Sequence, residues 1–130
     1  MLANTFDVQQ GVILEGTVVL PEAGDTTRRG FYIDCGKDSG TAILLDAQGA
    51  AALGGIKADL TGFTPEKNVD REMAFGPSPR FRLLLKHSLI EFYLNDILIE
   101  CFSLPNAATG RIGLIQGADQ AAIGNLKAWL

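Results

Sequence analysis

Residues 80–102 read Arg80-Phe81-Arg82-Leu83-Leu84-Leu85-Lys86-His87-Ser88-Leu89-Ile90-Glu91-Phe92-Tyr93-Leu94-Asn95-Asp96-Ile97-Leu98-Ile99-Glu100-Cys101-Phe102. Phe81, Leu83 and Leu85 alternate with Arg82, Leu84 and Lys86, the two-residue cadence of a strand that buries one face. His87-Ser88 and Asn95-Asp96 each fit the two-residue connection of a tight hairpin. With both turns in place, Leu85 falls opposite Ile90, Leu83 opposite Phe92, Leu94 opposite Ile97 and Phe92 opposite Ile99. One face then carries Phe81, Leu83, Leu85, Ile90, Phe92, Leu94, Ile97, Ile99 and Cys101. An apolar surface of that extent needs a second sheet over it.

Working outward, short runs of β-branched, leucine and aromatic residues recur between Gly, Pro, Asn and Asp clusters. They predict strands at Val12–Leu20, Gly30–Cys35, Thr41–Asp46, Arg80–Lys86, Leu89–Leu94, Ile97–Phe102, Arg111–Gln116 and Ala122–Leu130. The fold class that follows is all-β, an antiparallel two-sheet β-sandwich. Asp46–Gly55, with its alanines, is read as room for a short helical turn, and Lys57–Pro79, broken by Pro65, Pro77 and Pro79, as the loosest region. The 15 glycines in 130 residues punctuate the strands, and Gly16 and Gly113, which fall inside them, predict bulges or close backbone approach.

The length suits one domain spanning residues 1–130. With 11 Lys and Arg against 15 Asp and Glu, the net charge of −4 has the wrong sign for a nucleic-acid module that must neutralise phosphates. No apolar run approaches the ~20 residues of a membrane span, so neither a nucleic acid nor a membrane is expected as a partner. Met1–Phe6 lacks the basic start of a secretion signal, and the location follows from whatever protein carries the domain. Cys35 and Cys101 sit in apolar runs without a second metal-ligand pattern and read as buried thiols, with a disulfide between neighbouring strands as the alternative; His87, the one histidine, reads as a turn residue. No cofactor is expected. A structural calcium held by loop oxygens of Asp38 and Asp46 is the one metal considered, without EF-hand spacing to support it.

The face opposite the core is where chemistry gathers. The same register sets Arg82 opposite Tyr93, Leu84 opposite Glu91, and Glu91 opposite Glu100, with Leu89, Leu98 and Phe102 around them. Two facing carboxylates need a neutralising cation, and Arg82 is the nearest. A ring beside charged hydrogen-bonding groups suits a sugar, whose flat side is apolar and whose edge is hydroxylated. An ordinary solvated face is the alternative. Asp34 alternates with Ile33 and Cys35, which adds a second tyrosine-acid pair with Tyr32, and Arg71 in Val69-Asp70-Arg71-Glu72 is placed to reach over a sheet rim or to join a local ion cluster. The carbohydrate-binding candidates are therefore Glu91, Tyr93, Arg82, Glu100, Asp34, Tyr32 and Arg71. Glu15, on the same face as Ile13 and Thr17, is an acid that needs a wet edge or a partner.

Phe81–Asp96 resembles a stretch of the C-terminal β-sandwich module of glycoside hydrolase family 32, through Arg82, Ser88, Glu91, Phe92 and Asn95-Asp96. The wider chain, including Gly30-Phe31-Tyr32-Ile33-Asp34 and the return strand ending at Trp129, is similar to concanavalin-like lectin and laminin G jelly rolls. The resemblance implies a non-catalytic module beside a fructan- or sucrose-cleaving catalytic domain, with a fructan or sucrose-like glycan as ligand and a homodimer as an assembly to consider. The Asn-Asp-Pro and Arg-Asp-Pro segments of the catalytic half are absent from the sequence, and Glu100-Cys101 stands without them. The alternative function is a structural module that packs through Leu89, Leu98 and Phe102 against another domain or a second copy and binds no sugar.

Overall fold

A computed structural model describes residues 10–20, 29–45, 51–57, 59, 61–69, 78–104, 108–115 and 123–129. Its strands are β1 (Val12–Val18), β2 (Arg29–Asp34), β3 (Ser39–Leu45), β4 (Ala51–Lys57), β5 (Thr64–Val69), β6 (Arg80–Lys86), β7 (Leu89–Leu94), β8 (Ile97–Ser103), β9 (Ile112–Ile115) and β10 (Ile123–Trp129). They form two five-stranded sheets with the orders β10-β1-β6-β7-β8 and β5-β4-β3-β2-β9, every neighbouring pair in register antiparallel. The antiparallel two-sheet sandwich expected from the sequence is the fold.

The two inner faces interdigitate. Leu14, Phe81, Leu83, Leu85, Ile90, Phe92 and Leu94 from the first sheet meet Phe31, Ile33, Ile43, Leu53 and Ile112 from the second, all of them buried. Burying each such side chain contributes about 1.5–3 kcal/mol, so this layer is what holds the sheets together.

Local chemistry fixes the hairpins. Asn95 and Asp96 have φ of 49° and 66°, the paired left-handed residues of a type I′ turn, and Lys37 and Asp38 do the same between β2 and β3 at 55° and 57°. His87, at φ 55°, occupies its turn as read from the sequence. The β6–β7 register matches expectation, with Leu83 opposite Phe92 and Leu85 opposite Ile90.

Three expectations are corrected. Residues 51–57 form a strand, not part of a helical turn: between β3 and β5, Leu53 and Ala51 reach the core, and tertiary pairing overrides the helix preference of alanine. Gly54 is what lets β5 lie against it, since a Cβ there would stand 2.0 Å from the Thr64 carbonyl oxygen. Strand β5 itself runs through the region read as loose; Pro65 is tolerated because β5 is a sheet edge.

The third correction concerns β8. The β7–β8 register shifts between Phe92 and Tyr93, so that Tyr93 faces Leu98, Phe92 faces Glu100, and Glu91 faces Cys101. Ile99 is the extra residue of this bulge and stays buried. Beyond it the faces swap: Phe102 enters the core, and Cys101 is exposed. Burying the larger ring in place of the thiol is the favourable exchange. Glu91 and Glu100 are therefore not directly opposite. Of the irregularities expected at interior glycines, the one at Gly16 is present, where the β1–β10 register shifts between Glu15 and Thr17, whereas Gly113 pairs regularly with Tyr32.

Candidate functional site

Strands β1, β6, β7 and β8 align Glu15, Arg82, Tyr93 and Leu98 in one row across the outer face of the first sheet, with Ile13, Leu84, Glu91 and Cys101 in the next. Arg82 leans toward β7: its guanidinium carbon lies 4.6 Å from the centroid of the Tyr93 ring. That cation–π contact is worth about 0.5–1 kcal/mol at a partly wet surface and fixes the plane of the guanidinium. The Nε of Arg82 is buried and has no hydrogen-bond partner among the described residues.

Beside Arg82 opens a cleft of about 370 Å³, lined among others by Glu15, Thr17, Arg80 and Asp96. Its rim is built by the Asn95-Asp96 turn. The Arg80 backbone N–H donates to Asn95 Oδ1 at 2.9 Å, and the Asn95 N–H donates to the Arg80 carbonyl at 2.8 Å, which ties the turn to the start of β6. Arg80 and Asp96 then form an exposed ion pair at 3.0 Å. The Asn-Asp of the sequence motif thus shapes the mouth of the cleft, and the bulge at Gly16 lies in its lining.

Arg82 and Tyr93 are in contact, and Glu91 lies in the neighbouring row of the same face, in the β6–β7 register expected from the sequence. Glu100 stands at the β8 bulge, where its Oε1 accepts the backbone N–H of Cys101 at 3.1 Å. Tyr32 and Asp34 lie on the other sheet, so the candidate residues do not form one surface. Tyr32 is only 4% exposed, in a small cluster with Ala42, Ile56 and Ile115. Its hydroxyl donates to Asp34 Oδ1 at 3.2 Å, while Thr109 donates to Asp34 Oδ2 at 2.7 Å. Burial first, and the Asp34 charge second, push the Tyr32 phenol up to about 12. Burial likewise raises the half-buried thiol of Cys35, with Asp34 adding to it. Arg71 lies outside the described residues, as does Asp46 of the suggested calcium pair. Among the described residues no group of three His, Cys, Asp or Glu side chains is placed to hold a metal ion.

Arg80, Asp96 and Glu15 are the site residues that sequence reasoning underused. The sequence marks Glu15 only as an acid that needs a wet edge or a partner, and the pairing of β1 with β6, distant in sequence, brings it opposite Arg82.

No family model matches the chain, and no curated protein matches it by sequence. Solved structures do. Caenorhabditis elegans galectin LEC-6 is similar at 13% identity and a TM-score of 0.61, over 91% of this chain and 79% of that one. Sheep galectin-11, in complex with glycerol, is similar at 10% identity and a TM-score of 0.59, over 97% and 93%. A double variant of human galectin-16 follows at 12% identity and a TM-score of 0.62, over 98% and 91%. These likenesses place the chain in the concanavalin-like β-sandwich fold of the galectins.

Proposed function

We propose that this domain is a non-catalytic carbohydrate-binding module whose ligand lies against the outer face of the β10-β1-β6-β7-β8 sheet, on Arg82, Tyr93 and Glu91 and into the adjoining cleft. The observation that carries the reading is the Arg82–Tyr93 stack at the edge of that cleft. An aromatic ring, a fixed guanidinium and carboxylates on one surface supply the apolar and hydrogen-bonding groups that a sugar uses. The galectin-like fold supports a lectin role. The β7–β8 register sets Glu91 opposite Cys101 and not Glu100, which lends no support to a directly facing acid pair of the hydrolytic kind.

The finer form of the proposal, a module that accompanies a fructan- or sucrose-cleaving glycoside hydrolase, rests on the Phe81–Asp96 motif. Calorimetry of the chain against levan, inulin, sucrose and a panel of other neutral and acidic glycans tests binding, with Arg82→Ala and Tyr93→Ala expected to abolish it. Absence of heat with every glycan overturns the reading.

A second reading, a docking module without sugar, is favoured by one observation: Leu89 and Leu98 on the same face are 44% and 39% exposed. Phe102, buried in the core, does not contribute to that patch. Sedimentation that finds a strict monomer, together with glycan binding, decides against it.

A further inference from the structure

We infer that the sugar bound on this face carries a carboxylate, and that Arg82 is the group that recognises it; the inference rests on the carbohydrate-binding reading and narrows its ligand class away from neutral fructans. Two arginines line the cleft, and they are not equivalent. Arg80 is engaged with Asp96 at 3.0 Å. Arg82 is opposite Glu15 in the β-ladder but is turned the other way, over Tyr93, and among the described residues it enters no ion pair.

The Nε of Arg82 is buried, so the terminal nitrogens are what the guanidinium presents to the cleft, and a charged acceptor there offsets part of the cost of keeping the group half-desolvated. The planar fork of arginine, here its two terminal nitrogens, matches two oxygens on one carbon. A carboxylate offers that pair at the right spacing, with charge assistance; a sugar hydroxyl offers one neutral acceptor. The Tyr93 ring holds the fork in plane before the ligand arrives, so less side-chain freedom is lost on binding.

The surroundings limit the ligand further. The cleft, about 370 Å³, is at the small end of ligand sites, which suits one or two sugar rings at a chain end. Glu15 and Asp96 in its lining accept hydrogen bonds from hydroxyls and repel a second negative charge. One uncommitted cation between two acids fits a single uronic acid residue and disfavours a densely sulfated chain.

The test is calorimetry of the full chain with methyl glucuronide and methyl galacturonide, each beside its neutral glycoside and its methyl ester. The acids are expected to bind at least roughly ten-fold more tightly than their neutral and esterified partners. Arg82→Gln should abolish the difference, and Arg82→Lys, which keeps the charge without the fork, should lose most of it. Should Arg82→Gln melt early, the acid-against-ester comparison on the unaltered chain decides alone. Neutral sugars bound as tightly as the acids, or an acid preference that survives in Arg82→Gln, overturns the inference and leaves the carbohydrate reading standing. No binding by any of these sugars or by the wider glycan panel overturns both.

Discussion

The ring of Phe31, on one sheet, stands 4.8 Å from that of Phe81 and 5.7 Å from that of Phe92, both on the other, with interplanar angles of 55° and 58°. Tilted rings at these distances add about 0.5–1.5 kcal/mol per pair to their burial. Phe31→Ala should therefore cost about 3–5 kcal/mol, read as a shift of the urea midpoint at constant slope. A loss below 1 kcal/mol would mean that the sheets are held elsewhere.

The Asn95-Asp96 turn separates conformation from charge. Asn95→Ala puts alanine at φ 49° and removes the acceptor for the Arg80 N–H, and should cost about 1–2 kcal/mol. Asp96→Asn keeps a residue that tolerates φ 66° and breaks only an exposed ion pair, so a change within about 0.5 kcal/mol is expected. Thermal melts of both variants, with salt varied for Asp96→Asn, check the contrast.

Alkaline stability should report on Tyr32. Its folded-state phenol is raised from 10.0 to about 12. The native state thus holds the proton more tightly than the unfolded chain, and the stabilisation is complete below pH 10 and lost as pH climbs toward 12. Tyr32→Phe has no such proton to lose. Its stability, measured against that of the unaltered chain across this window, should be the flatter of the two; parallel curves would show that burial and the Asp34 charge do not raise the phenol in the folded state.

The two thiols should react in a fixed order. Cys101 is exposed, whereas Cys35 is half-buried with a raised thiol. Alkylation of the native protein followed by peptide mapping should find Cys101 modified well before Cys35. Equal rates would contradict the face swap at the β8 bulge.

The β6–β7 hairpin could be read to the residue because alternation, a two-residue turn and paired aromatic positions agree there. Strands β4 and β5 were hidden by composition: alanine, glycine and proline carry no strand signal, and only partners distant in sequence make those segments extended. The bulge at Ile99 had no mark either, because Ile-Glu-Cys-Phe permits both parities until the core selects Phe102 over Cys101. The same limit applied to the site. Alternation told that Tyr32, Asp34, Arg82 and Tyr93 all point away from the core, but a face is not a sheet, and the sandwich sends the two pairs to opposite sides.

Strand β8 borders its sheet, and a bordering strand ordinarily offers its open backbone groups as a template for another chain. Here the additional residue at Ile99 disturbs the spacing that an incoming strand would have to match, and the Cys101 N–H is taken up by the carboxylate of Glu100. The irregularity that separates Glu100 from Glu91 thus also blunts the border against edge-to-edge aggregation, so that straightening it, by deleting Ile99, would create a sticky margin as well as a misaligned core.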